Sequence, residues 1–187
     1  MVNSNLMLAK PEGSTLQTFK RREYLSSHCN QLWQIESGAV RAYTLTDDGT
    51  VIALGFWGEG DVIGQSLTRI QPYEMECLTD VQARGLHPNE CDRLNQILFS
   101  HLHQTQELLR IRSGQIPYRL WQLLDWLAYK FGHASERGQL IQLRLTHQDL
   151  ADTLGTTRVT VTRLLGQLER EGRIGWVGQQ MLLIQNS

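Results

Sequence analysis

The stretch from Gly155 to Gly172, GTTRVTVTRLLGQLEREG, sets Arg158 and Arg163 among threonines, and no carboxylate occurs between Asp152 and Glu169. A guanidinium is a planar, permanently charged fork of N–H donors. It matches paired acceptors such as the O6 and N7 edge of guanine or two oxygens of a phosphate. If the stretch is helical, turning each residue by about 100° gathers Val161, Leu164, Leu165 and Leu168 on one side and Arg158, Val159, Thr162 and Arg163 on the other. A solvated helix face would account for two arginines, but such faces normally mix charge signs, and this one is uniformly basic. Long arginines among short neighbours predict a helix that enters the major groove of DNA. Thr156 or Thr157 is placed to cap its N-terminus, whose partial positive charge suits a phosphate, and Thr160 adds a hydroxyl to the first turn.

Such a helix needs a partner to position it. LTHQDLADTLGTTRVTVTRLLGQLEREG divides into a first helix over about 147–154, a turn at Gly155 and a second helix over about 157–170. Ala151, Gly155 and Val161 then occupy the three most restricted positions of a helix-turn-helix: a small residue under the second helix, a sharp turn, and a core residue between the helices. Downstream, RIGWVGQQMLLIQ alternates about a turn at 178–180 and predicts a two-stranded wing. No Lys or Arg follows Arg173, so the wing's grip on phosphate is expected from backbone amides and glutamines.

The rest of the chain differs in texture. Between about 32 and 86, short apolar runs alternate with turns, Gly38, Gly49 and Gly60 recur every eleven residues, and Asp48-Gly49 is a hairpin signal. This predicts an antiparallel β-roll or jelly roll. From about 89 to 112 the apolar period becomes helical, and Ser113-Gly114 with Pro117 separates that helix from YRLWQLLDWLAYKFG, where Gly132 stands at the glycine-favouring end position. Leu94, Leu98, Leu102, Thr105 and Leu109 step by four, four, three and four along the first helix. That stripe serves either as a seam for a second copy or as packing against the chain's own roll; a dimer is the expectation, because one short recognition helix reads too few bases to be selective. The fold class is therefore α+β in three parts: a roll over 1–88, a dimerisation helix over 89–113 and a winged helix-turn-helix over 114–187.

Composition narrows the function. A formal charge of -1 means that any nucleic-acid surface must be local. Cys29, Cys77 and Cys91 are odd in number and widely spaced, which argues against a disulfide framework and a structural metal site. His101 and His103 lie two apart on a helix and so on different faces, which makes them solvated or interfacial residues and poor joint ligands. A cupin-like metal enzyme would need an HxH motif with Glu and His clustered on the strands, and the strand region carries no such cluster; neither a catalytic residue nor a metal is expected. The five tryptophans are expected in core and interface packing. No apolar run approaches the ~20 residues of a membrane span, and the N-terminal stretch lacks a signal-like apolar core, so a cytoplasmic protein is expected. A winged helix used for protein contact is the alternative to DNA binding.

LTHQDLADTLGTTRVTVTRLLGQLEREGRI closely resembles the winged helix of the CRP/FNR transcription regulators, and TRVTVTRLLG is most similar to the cyanobacterial nitrogen-control branch, the NtcA type. The resemblance implies a homodimer with a cyclic-nucleotide-binding-like roll, a long dimerisation helix and a DNA-binding domain. By motif, Arg163 resembles the arginine that contacts guanine in each half-site, and Arg158 the one near the start of the recognition helix. Val159 replaces the acid that many members use for cytosine, which implies GTA-type half-sites. Thr146, His147 and Gln148 match the start of the preceding helix, where the family touches phosphate. RNA polymerase is an implied partner.

The roll departs from the cyclic-nucleotide pattern. In GQSLTRIQPYEMECLTD, Gln65 stands where the ribose-binding glutamate would be, and Glu74 lies near the expected phosphate-binding arginine. A carboxylate facing a phosphate is electrostatically wrong, so no cAMP binding is expected. Arg69 is a weak candidate for an anionic effector. The N-terminal cysteine cluster of oxygen-sensing members is missing, and no cofactor is expected.

Overall fold

The computed structural model describes residues 15–27, 31–87 and 93–184. Among the described residues seven strands build the roll: β1 (Leu16–Phe19), β2 (Leu32–Ser37), β3 (Val40–Leu45), β4 (Val51–Trp57), β5 (Val62–Ile63), β6 (Glu74–Cys77) and β7 (Val81–Leu86). They form two antiparallel sheets, β1-β7-β2-β5 and β4-β3-β6. Between them lie Trp33, Ile35, Val40, Ala42, Met75, Val81 and Ala83, all buried. The glycine rhythm is a turn rhythm: Gly38, Gly49 and Gly60 have φ of +90°, +80° and +82°. At Gly38 a side chain is excluded twice over, because a Cβ would also stand 2.3 Å from the Asp80 carbonyl. The roll begins earlier than the apolar alternation implies, since β1 is an exposed edge strand held by pairing with β7 and not by a hydrophobic pattern.

Helix α1 (Leu94–Ile111) lies across the roll, with Ile97, Leu108 and Ile111 inward. Buried Gln104 stitches three elements together, its Oε1 accepting from the Phe56 amide at 3.3 Å and from Lys130 Nζ at 3.1 Å. The start near 89 expected from the sequence falls outside the described residues, which place the first helical residue at Leu94. Helix α2 (Ile116–Phe131) follows, with proline in its first turn, where the missing N–H costs nothing.

Gly132 closes α2 where the sequence places the helix end, and the structure adds two features beyond that expectation. Gly132 does not adopt the left-handed glycine conformation; with φ -95° and ψ 160° it is extended and opens strand β8 (Gly132–Ser135). Its glycine is steric in origin, because a Cβ would lie 2.2 Å from the Ala128 carbonyl oxygen. The expected two-stranded wing is also part of something larger. β10 (Ile174–Val177) and β11 (Gln180–Ile184) join β8 and β9 (Gly138–Ile141) in one four-stranded sheet of order β10-β11-β9-β8. The GHASERGQLI hairpin is short and mostly polar, so no periodicity announces it.

Helices α3 (His147–Leu154) and α4 (Arg158–Arg170) complete the chain. A continuous apolar cluster runs from Ala39, Phe56 and Leu78 of the roll through Ile111 of α1 and the leucines of α2 to Leu150, Ala151, Val161, Leu164, Leu165 and Ile174. The roll and the helix-turn-helix therefore share a core, and the orientation of α4 is set partly by the roll.

Candidate nucleic-acid interface

Helix α3 starts at a capping box in which the Thr146 hydroxyl accepts from the Asp149 amide at 3.1 Å and the Asp149 carboxylate accepts from the Thr146 amide at 2.8 Å. Gly155 ends it with φ +61°, the left-handed turn that feeds α4. Thr157 caps α4, accepting from the Thr160 amide at 3.2 Å, and the Thr157 and Thr160 hydroxyls lie 2.9 Å apart. Val161, Leu164, Leu165 and Leu168 are buried, while Arg158, Val159, Thr162 and Arg163 are exposed, Val159 to 77%.

Within this interface the hydroxyls and arginines behave differently. The Thr162 hydroxyl donates to the Arg158 carbonyl at 2.9 Å and lies 2.7 Å from His147 Nδ1, while Gln148 Nε2 donates to Asp152 at 2.6 Å. Thr156 is half-buried at the turn. Neither the Arg158 nor the Arg163 guanidinium has a protein partner among the described residues. Other arginines are committed: Arg112 to the Ala53 and Thr153 carbonyls, Arg119 to the Leu154 carbonyl, and Arg173 to the face of Trp121 at 3.8 Å.

A buried ion network, absent from the sequence reading, anchors this pair of helices to the roll. Arg41 of β3 meets Glu76 of β6 at 2.8 Å, Asp149 of α3 at 2.9 Å and Asp152 at 3.7 Å. Arg22 joins the same carboxylates, at 2.6 Å from Glu76 and 3.1 Å from Asp149. Burial works against the charge on Asp149, but the Thr146 amide and the two guanidiniums outweigh it and hold the carboxyl below its ordinary value. Asp152 goes the other way: burial raises it, in spite of Gln148 and Arg41. Asp149 thus caps α3 and ties it to the roll with one side chain.

Along α1, Leu94, Leu98, Leu102 and Leu109 are exposed, with Thr105 exposed between them, and Phe99, exposed to 71%, extends the apolar surface. Phe99 escaped the heptad-like reading because it lies beside that leucine stripe. In the roll, Gln65 is buried and donates to the Thr68 and Ile70 carbonyls at 3.3 and 3.1 Å, while Arg69 is exposed. A cavity of about 250 Å³ between roll and α1 is lined by Leu54, Trp57, Tyr73, Leu102, Thr105 and Arg112, among others. His101, expected to be solvated or interfacial, lies where α1 meets the roll: it bonds the Val62 carbonyl at 2.7 Å and lies against Trp57, and burial lowers its proton affinity. Cys77 is a buried free thiol; Cys29 and Cys91 lie outside the described residues. No helix among the described residues is long and apolar enough to cross a membrane.

An antiparallel roll joined by a long helix to a winged helix-turn-helix with a free basic face defines a class: transcription regulators that couple a sensor-like domain to DNA binding. Residues 118–186 match the Crp-like helix-turn-helix domain. The chain is 40% identical over 158 residues, 82% of its length and 76% of the relative's, to the regulatory protein CysR of Synechococcus elongatus. It is 27% identical over 180 residues to the transcriptional regulator LdrP of Thermus thermophilus, covering 90% and 92% of the two chains. The solved structure of TTHB099, a CRP-family transcriptional regulator also from Thermus thermophilus, superposes with a TM-score of 0.78 at 25% identity, covering 90% and 92%. The chain belongs to the CRP/FNR family of transcriptional regulators and is a DNA-binding regulator.

Proposed function

We propose that the chain binds a palindromic duplex with GTA-type half-sites as a homodimer, and that it works in the cytoplasm with RNA polymerase as its protein partner. The observation that carries this reading is the exposed face of α4, where Arg158 and Arg163 have no protein partner among the described residues and no acid lies beside them. Leaving two guanidiniums free beside a capped helix start favours a polyanion over a protein surface of mixed charge. Arg163 reads a guanine, and Arg158 contacts a base edge or phosphate. Val159 and Thr162 pack against the groove. Thr146, His147, Gln148, Thr156, Thr157 and Thr160 surround the phosphates.

In this reading residues 1–88 form the sensor-like domain, 89–113 the dimerisation helix and 114–187 the DNA-binding domain. Leu94, Leu98, Leu102, Thr105 and Leu109 form the seam between protomers, which places the two recognition helices ~34 Å apart on successive turns of a palindrome. The bonds that Gln65 already makes to the Thr68 and Ile70 carbonyls support a roll not built for cAMP. Any effector of the cavity between roll and α1 belongs to another class, with Arg69 the weak candidate for an anion. Selection from a random duplex library by the purified chain tests the proposal. Recovery of a palindrome with GTA arms is expected; binding that shows no sequence preference and no loss in Arg163→Ala refutes it.

A further inference from the structure

The first helix of a helix-turn-helix crosses the DNA backbone while the second lies in the groove, which puts the start of α3 nearest the phosphates. His147 is the first residue of α3 and is half-buried, with Nδ1 2.7 Å from Thr162 Oγ1. Thr162 Oγ1 in turn lies 2.9 Å from the Arg158 carbonyl oxygen, which can only accept. A hydroxyl has one proton. With that proton spent on the carbonyl, the bond to His147 forms only if Nδ1 is the protonated nitrogen. A neutral imidazole then keeps a bare lone pair on Nε2, which has no protein partner among the described residues. An acceptor facing a phosphate oxygen repels it, whereas the imidazolium donates from both nitrogens.

From this geometry we infer that His147 is a proton-coupled phosphate contact: each protomer takes up a proton at His147 on binding DNA, because the tether to Thr162 locks the neutral ring in the tautomer that cannot donate. The inference rests on the groove reading of α4. Among the described residues, the charged groups on the elements around His147 leave it no carboxylate of its own. On α3, Asp149 is held by Arg22 and Arg41, and Asp152 by Gln148 and Arg41. α4 presents Arg158 and Arg163, and the segment leading into α3 carries Arg144. The anion that favours the imidazolium is therefore the DNA phosphate, and protonation and binding are thermodynamically linked.

The test is a fluorescence-anisotropy titration of the selected duplex between about pH 6 and about pH 8 at constant ionic strength, the range in which histidine changes charge. The natural chain should lose at least about tenfold in affinity across that range, through linked proton uptake. His147→Asn keeps a donor for Thr162 but never ionises; it should show a change of no more than about twofold over the same range. Thr162→Val removes the hydroxyl that fixes the tautomer, so a neutral ring can donate from Nε2 and the ratio of affinities across the pH range should shrink, whatever affinity the groove contact loses at every pH. A pH profile identical in the natural chain and both variants overturns the inference and leaves the DNA reading standing. Failure of the natural chain to retain any duplex at either pH overturns both.

Discussion

Replacing Asp149 by Asn isolates the charge at the junction of roll and helix-turn-helix. The amide keeps an oxygen for the Thr146 N–H and nearly the same volume, so capping and packing survive while the charge is lost. The carboxylate is 3% exposed and meets Arg41 at 2.9 Å and Arg22 at 3.1 Å. Without it, two guanidiniums share Glu76, with Asp152 at 3.7 Å from Arg41 as remaining support. Removing one partner of a buried pair costs about 3–5 kcal/mol because the other charge stays desolvated. Arg22 is 34% exposed and Asp152 is close enough to compensate in part, so about 3 kcal/mol is expected here. For a chain of this size that loss lowers the melting temperature by roughly 6–12 °C. Circular-dichroism melts and urea titrations read it directly. Lys20→Met, at the exposed Lys20–Asp80 pair, is the control and should leave the transition unmoved. A loss below about 0.5 kcal/mol for Asp149→Asn would refute the claim that this network is desolvated and structural.

The pH dependence of the same variant has a definite sign. The folded Asp149 carboxyl is held below its ordinary value, so its contribution is fully present above ~3.9 and disappears as pH falls through the lower folded value. The acid limb of the stability profile should therefore be shallower in Asp149→Asn than in the natural chain. Arg163→Ala should weaken binding of the selected duplex by about 1–3 kcal/mol per half-site and relax preference at one base pair, seen by repeating the selection with the variant. Leu98→Asp with Leu102→Asp puts carboxylates into the exposed stripe of α1 and should shift the chain toward monomer in sedimentation, with loss of palindrome binding and a circular-dichroism spectrum that stays folded. Gly132→Ala forces a Cβ against the Ala128 carbonyl and should destabilise by about 1–3 kcal/mol; an unchanged melt would mean that the α2–β8 junction yields freely.

Local information carried most of what could be read in advance. The 100° periodicity of α4, the sharp turn at Gly155, a threonine cap at 156 or 157 and the positive-φ glycines of the roll each follow from a few adjacent residues, because helix faces, caps and tight turns are short-range physics; the choice of Thr157 and the capping box at Thr146 came from the structure. The hairpin of β8 and β9 and the edge strand β1 left no such trace. Both are short, β1 and β8 are largely exposed, and both units are held by backbone pairing to strands distant in sequence. Pairing of that kind is indifferent to side-chain pattern. The Arg22, Arg41, Glu76, Asp149 and Asp152 network was invisible for a related reason: its members come from a loop, two strands and a helix, and each alone resembles an ordinary charged residue. The sequence by itself determined that α4 has a basic, acid-free face; only the tertiary structure decided which charges are spent inside the protein and which, like Arg158 and Arg163, have no protein partner among the described residues. A charge becomes committed only when burial strips its water and a distant partner replaces it.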